Sequence, residues 1–199
     1  MNHPLSCRCG TLKGTVSHPE KANRGVCYCK DCQAYAHFLG KPDTLLDAMG
    51  GTDVVATLPK YVSLTQGTEA LACLSLTENG LLRWYASCCN TPVGNTGRNF
   101  KVSFVGLVHS CLQDASRSLE SSFGPVRMRV NTKGAKGVPQ AMRLSTFTSV
   151  LRFSKSLALA RLDGSYKSTP FFDSERGTPV AAPRVLTRSE REQVMNSAS

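Results

Sequence analysis

The segment V-C-Y-C-K-D-C-Q, residues 26–33, places three cysteines within six positions. Three thiols at this spacing supply three ligands of a tetrahedral zinc site and leave the fourth position open. Cys29 and Cys32 form a C-x-x-C at the start of a helix that we predict over residues 31–39, ending before Gly40. The free N–H groups of its first turn favour thiolate over thiol. The segment therefore predicts a metal centre with an open position, which is the arrangement of catalytic zinc.

Two further groups of cysteines also offer metal ligands in pairs. Cys7 and Cys9 form C-x-C followed by Gly10, and Cys88 adjoins Cys89 far downstream. Neighbouring side chains in a regular strand point to opposite faces, so both members of the second pair reach one metal only from a turn or a bulge. Spacing alone leaves open whether one or both of Cys88 and Cys89 bind.

The cysteine count and the absence of long apolar runs set the expected environment. Nine cysteines cannot all pair as disulfides because the number is odd. The first residues contain no apolar signal segment, so we expect a cytoplasmic protein with reduced thiols. We find no apolar run of about 20 residues and predict no transmembrane segment. A redox C-x-x-C would need a βαβ pattern, which is missing here. Cys73 alternates into a predicted strand and is expected to be a core thiol. Cys111 has no clustered partner, and we assign it no role.

The first 110 residues read as short strands between turns, which predicts a mainly β domain. The segments are rich in β-branched and aromatic residues and are bounded by Gly, Asn, Asp or Pro. They span residues 11–16, 54–58, 61–65, 71–76, 81–85 and 102–108. Asn79-Gly80 between two of them predicts a hairpin.

Residues 111–199 are predicted to form a basic, partly helical extension packed on residues 1–110. A long helix is expected over residues 141–162, and a short one follows a cap at Thr187 or Ser189. The apolar residues that can share one face of the long helix are Leu144, Phe147, Val150, Leu151, Leu157 and Ala158. That face packs on the β domain or lies on a membrane surface or a partner; we favour packing because it is the commoner use of such a stripe.

Positive charge is concentrated in the C-terminal part. The formal charge is +10. Residues 1–110 have 10 basic and 7 acidic residues, and residues 111–199 have 14 and 7. Such an excess attracts anionic partners, but no Lys/Arg run is dense enough to predict nucleic-acid binding.

The three cysteine motifs, C-R-C-G (7–10), C-Y-C-K-D-C (27–32) and C-C-N-T-P (88–92), resemble those of the glutathione-dependent formaldehyde-activating enzyme family, which includes the CENP-V relatives. The resemblance covers residues 5–108. It implies a β-tent of twisted antiparallel sheets with two zinc ions. By resemblance, one zinc is structural and uses the first C-x-C with the downstream pair, and the other is catalytic and uses the triplet Cys27, Cys29 and Cys32.

One motif departs from the family pattern. The family has C-x-x-C-G-T-P where this chain has A-S-C-C-N-T-P, residues 86–92. Cys89 matches the second family cysteine, whereas Ala86 stands in the place of the first. From this match we predict Cys7, Cys9 and Cys89 as ligands of the structural zinc, with Cys88 either the fourth ligand or a buried bystander. Asn90 replaces the family glycine and can still adopt a left-handed conformation.

The resemblance implies addition of a small thiol such as glutathione to an aldehyde, which is carbon–sulfur lyase chemistry in the reverse direction. Our functional prediction is thus a zinc-binding protein of this type. One alternative is a non-catalytic zinc module whose basic extension binds a partner, and a weaker one is metal storage or sensing.

Overall fold

The computed structural model describes residues 2–198, which form eleven β-strands and five α-helices. The strands are β1 His3–Ser6, β2 Lys13–Val16, β3 Asn23–Cys27, β4 Thr52–Thr57, β5 Val62–Gln66, β6 Leu71–Ser75, β7 Leu82–Ala86, β8 Thr91–Thr96, β9 Val105–Val108, β10 Met128–Val130 and β11 Pro183–Val185. The helices are α1 Lys30–Phe38, α2 Pro42–Leu45, α3 Leu119–Phe123, α4 Arg143–Leu162 and α5 Arg188–Ser197.

Two sheets make up the body of the protein. Strands β1, β2 and β5 form a small antiparallel sheet. The larger sheet has the order β10-β3-β4-β9-β8-β7-β6-β11. Its six inner strands pair antiparallel, whereas the edge strands β10 and β11 run parallel to β3 and β6. The prediction of a mainly β fold with a helical extension is confirmed.

Local signals in the sequence account for the elements that were predicted. All six predicted strands correspond to observed ones, and β6 and β7 form a hairpin around Asn79-Gly80. Helix α1 covers the predicted segment, and Gly40 after it has a φ of 67°. Thr187 caps α5 through a capping box with Glu190.

Strands β1, β3, β8, β10 and β11 were not predicted. Strand β8, T-P-V-G-N-T, contains Pro, Gly and Asn, which disfavour strands, yet all six of its residues are buried between neighbouring strands. Tertiary packing overrides local preference there.

The extension completes both the large sheet and the core. It supplies the edge strands β10 and β11. The Trp84 indole lies at the centre of the main core, with ring-centroid distances of 5.2 Å to Phe171 and 6.1 Å to Phe172. The division of the chain into two parts at residue 110 stays a prediction. The main hydrophobic core contains residues from both sides of that position.

Helix α4 packs on the body through a different face from the predicted one. Ser149 and Ala160 are buried, and the Phe153 ring meets Phe104 edge-on at 6.0 Å. The members of the predicted apolar face that are solvent-exposed include Leu144, Phe147, Val150 and Leu151. The contact therefore combines two small buried side chains with one aromatic ring and leaves most of the predicted apolar face outside. In residues 2–198, no helix combines the length and apolar character required to span a bilayer.

Candidate metal centres

The first cluster consists of Cys7, Cys9, Cys88 and Cys89, whose sulfur atoms all lie within 4.8 Å of one another. The Sγ–Sγ distance is 3.5 Å for Cys7–Cys9, 3.3 Å for Cys9–Cys88 and 3.8 Å for Cys7–Cys88. A tetrahedral site with zinc–sulfur bonds near 2.3 Å has sulfur–sulfur edges of about 3.8 Å. The four thiols are therefore spaced to hold one metal ion.

Turns bring the four thiols together. Cys7 follows β1, and Gly10 has a φ of 77°, a conformation that glycine adopts without strain. Cys88 and Cys89 lie in the turn after β7, closed by a 3.3 Å hydrogen bond from the Cys89 N–H to the Ala86 carbonyl. Because this segment is a turn and not a strand, the adjacent side chains converge, with their sulfurs 3.9 Å apart. Asn90 completes the turn with a φ of 53°, as its left-handed capacity predicted.

The triplet, Cys27, Cys29 and Cys32, forms the second group of thiols within 4.8 Å of one another. Cys27 ends β3, Cys29 is the N-cap of α1, and Cys32 lies in its first turn. The Sγ–Sγ distance is 3.1 Å for Cys29–Cys32 and 3.8 Å for Cys27–Cys32. The Cys32 N–H donates to Cys29 Sγ at 3.3 Å. The start of the helix therefore stabilises negative charge on the triplet.

Two residues that were not predicted contact the triplet. Arg83, with a side chain 2% exposed, has Nη1 3.9 Å from Cys32 Sγ and donates to Asn95 Oδ1 at 3.2 Å. Asn131 donates from Nδ2 to Cys27 Sγ at 3.3 Å. Three thiolates around a divalent ion would leave one net negative charge, which Arg83, also 3.8 Å from the Asp31 carboxylate, partly balances.

The sequence indicates the role of one of these two residues but not of the other. Arg83 is a single charged residue within the apolar strand segment L-L-R-W-Y, and a buried charge needs a partner, so its position was a usable signal. Asn131 lies in the polar segment N-T-K-G, 104 positions from Cys27, and nothing local indicates the contact.

The thiols differ in acidity. Hydrogen bonds from Thr11 lower the pKa of Cys9 to about 6, and hydrogen bonds from Cys29 and Cys32 lower the pKa of Cys27. Within the same groups, the hydrogen bond to Cys27 raises the pKa of Cys32, and desolvation raises the pKa of Cys88 to about 12. In each group, therefore, one thiol loses its proton readily while another keeps it.

The two cysteines outside the clusters behave as core residues. Burial raises the pKa of Cys73 and of Cys111 to about 12 in each case. The Cys111 thiol also donates to the carbonyls of Val93 and Val108. Cys73 is thus a core thiol, as predicted, and Cys111 is buried as well.

Fold and site together define a mainly β protein with two cysteine clusters able to hold metal ions. The chain matches DUF6151, described as a family of unknown function, over residues 1–183, and it belongs to that family. The matched range includes both clusters and α4. No curated protein matches the sequence.

Proposed function

We propose that each cluster holds one zinc ion and that the protein, like the formaldehyde-activating family its motifs resemble, adds a small thiol to an aldehyde. The observation that carries the proposal is the triplet: three thiols within 4.8 Å at the start of a helix, where the first cluster has four. Three sulfur ligands leave a position for a substrate, whereas four close the coordination shell. The first cluster is then structural and the triplet catalytic.

A zinc ion held by Cys27, Cys29 and Cys32 would lower the pKa of a bound thiol and orient it. The chain's own residues provide the surrounding charge balance. The N-terminus of α1 and the Asn131 amide stabilise negative charge on the sulfurs, and Arg83 places a cation against Cys32 on the buried side. Cys27 and Cys29 are half-buried and Cys32 is the most buried of the three, so a small molecule would approach the triplet from the side of Cys27 and Cys29.

The reaction balances without an oxidant or a reductant. The thiolate sulfur of a molecule such as glutathione forms a bond to the carbonyl carbon of an aldehyde such as formaldehyde. The carbonyl π electrons pass to oxygen, which takes up a proton in place of the one that the thiol lost on ionising and so gives the S-hydroxymethyl product. The reverse direction breaks the carbon–sulfur bond.

The test combines thiol binding with turnover. Zinc-loaded protein is titrated with glutathione in a calorimeter, and formation of the S-hydroxymethyl adduct from ¹³C-formaldehyde is followed by exchange NMR. We expect binding heat and a rate above the uncatalysed one for the native chain, and loss of both in Cys29→Ser. Cys73→Ala, which removes a thiol outside both clusters, is the matched control and retains both. Native protein that gives no heat with glutathione, or turnover that persists in Cys29→Ser, would contradict the proposal.

A further inference from the structure

The segment from residue 121 to residue 162 contains no acidic residue. Glu120 and Asp163 flank it, and it holds eight basic residues. They are Arg127, Arg129, Lys133, Lys136, Arg143, Arg152, Lys155 and Arg161. In the part of the chain that the structure describes, Lys133, Lys136 and Lys155 are exposed and form no ion pair. The segment is therefore a surface of uncompensated positive charge.

The same segment carries most of the large exposed apolar side chains. Val138 is 96% exposed, Leu144 79%, Phe147 65% and Leu162 82%. At 3.6 residues per turn, Leu144, Leu151 and Leu162 lie in line along α4, with Phe147 beside them. We call these exposed α4 side chains the outer stripe. Lys155 lies within it, and its long side chain can extend past the apolar residues to a charged layer.

The opposite face of α4 holds the helix on the body. Ser149 and Ala160 are buried, Phe153 packs on Phe104, and the Arg152 guanidinium donates to the Asn23 side chain. Because this inner face fixes the helix, the outer stripe is free to contact another surface without a rearrangement of the fold.

The combination of apolar and basic side chains on the outer stripe indicates which kind of surface binds it. A second copy of the chain would bring two acid-free basic surfaces together, which is repulsive. Nucleic acid would satisfy the cations but leaves Leu144, Phe147 and Leu162 without apolar contacts. An anionic bilayer satisfies both, since apolar side chains enter the boundary of the acyl chains while Lys and Arg remain among the headgroups.

We propose that the outer stripe of α4 lies in the interface of an anionic lipid bilayer and brings the protein to a membrane surface. The helix rests parallel to the bilayer and does not cross it. This inference depends on α4 and not on the metal centres, so either proposal can fail without the other.

The test is flotation of the full chain with lipid vesicles. We expect binding to vesicles of phosphatidylcholine mixed with phosphatidylserine, little binding to phosphatidylcholine alone, and release by salt. A triple variant should lower the coefficient for partition of the protein from water into the vesicles at least about tenfold. Its substitutions are Leu144→Gln, Phe147→Gln and Leu151→Gln. Lys155→Gln, within the outer stripe, should lower the same coefficient about fivefold. Circular dichroism and thermal melting establish that the variants are folded, as expected for exposed positions.

A matched control variant tests for non-specific hydrophobic binding to vesicles. Leu81→Gln, Val102→Gln and Val180→Gln replace exposed apolar residues outside the segment, and we expect them to leave vesicle binding unchanged. Equal binding to both kinds of vesicle, or an equal loss in this control, would overturn the proposal. So would binding to polyuridylic acid in place of vesicles, or a dimer in light scattering that the Leu144/Phe147/Leu151 variant dissociates.

Discussion

Asn131 Nδ2 donates a hydrogen bond to Cys27 Sγ at 3.3 Å, although the two residues are 104 positions apart. Asn131 holds a left-handed backbone with a φ of 56°, and β10, immediately before it, pairs with β3, which ends at Cys27. The pairing of these strands therefore places the amide at the triplet. The extension thus contributes directly to the candidate catalytic site.

Removal of the Asn131 amide should weaken metal binding at the triplet. Asn131→Gly keeps the left-handed backbone but removes the donor, so we expect zinc affinity of the triplet to fall about ten- to a hundredfold, as for other residues that orient metal ligands. Asn131→Asp places a carboxylate against the thiolate, and the fall should be larger. Competition with a chromophoric chelator measures the affinity. Unchanged affinity in both variants would remove Asn131 from the site.

Cys88 should act as the fourth ligand of the first cluster. Its sulfur lies 3.3 Å from Cys9 and 3.8 Å from Cys7, so Cys88→Ser should release about one zinc per chain and lower the melting temperature. Metal analysis and calorimetry provide the two readings. Cys73→Ala is again the control, and its zinc content should stay at the native value. Full zinc content in Cys88→Ser would make Cys88 a bystander.

The metal-free protein should show a reactive thiol at Cys9. Its pKa is lowered to about 6, so its thiolate is present above about pH 6 and is lost as the pH falls below that value. Cys73 and Cys111, with pKa values of about 12, should resist alkylation while the protein is folded. Iodoacetamide labelling at a series of pH values, read by peptide mass spectrometry, follows each thiol. A Cys9 rate that rises mainly above pH 8 would contradict the assignment.

Residues 1–110 should not fold without the remainder of the chain. Truncation removes two edge strands of the large sheet together with Phe171 and Phe172, which cover Trp84. In the full chain, Phe171→Ala should lower the free energy of unfolding by about 3–5 kcal/mol, whereas Phe147→Ala at an exposed position should change it by less than about 0.5 kcal/mol. Denaturant titration measures both variants. A truncated chain with a native near-ultraviolet signal from Trp84 would show an independent domain.

Local signals predicted the parts of the fold that local chemistry controls. Asn79-Gly80 marked the β6–β7 hairpin, Gly40 marked the end of α1, and Thr187 with Glu190 marked the start of α5. The edge strands β10 and β11 gave no such signal. Each has three residues and forms by hydrogen bonding to the unpaired backbone groups at the edge of a longer strand.

In the candidate sites, too, local sequence predicted some residues, whereas others depend on the packing of distant segments. Spacing identified the cysteines because ligands on one turn are close in sequence as well as in space. The role of Cys88 depended on whether its segment formed a strand or a turn, which the sequence left open; the structure has a turn, in which Asn90 adopts a φ of 53°. The contact from Asn131 and the exposure of the Leu144 face both depend on how distant elements pack, which helical spacing alone does not determine.

The central claim is that two separate groups of thiols each hold one zinc ion. The most direct measurement is zinc per chain, by plasma mass spectrometry, for the native protein, Cys29→Ser and Cys88→Ser purified in parallel. We expect about two ions in the native chain and about one in each variant. A native chain with one ion or none, or a Cys29→Ser variant with the native zinc content, would contradict the account.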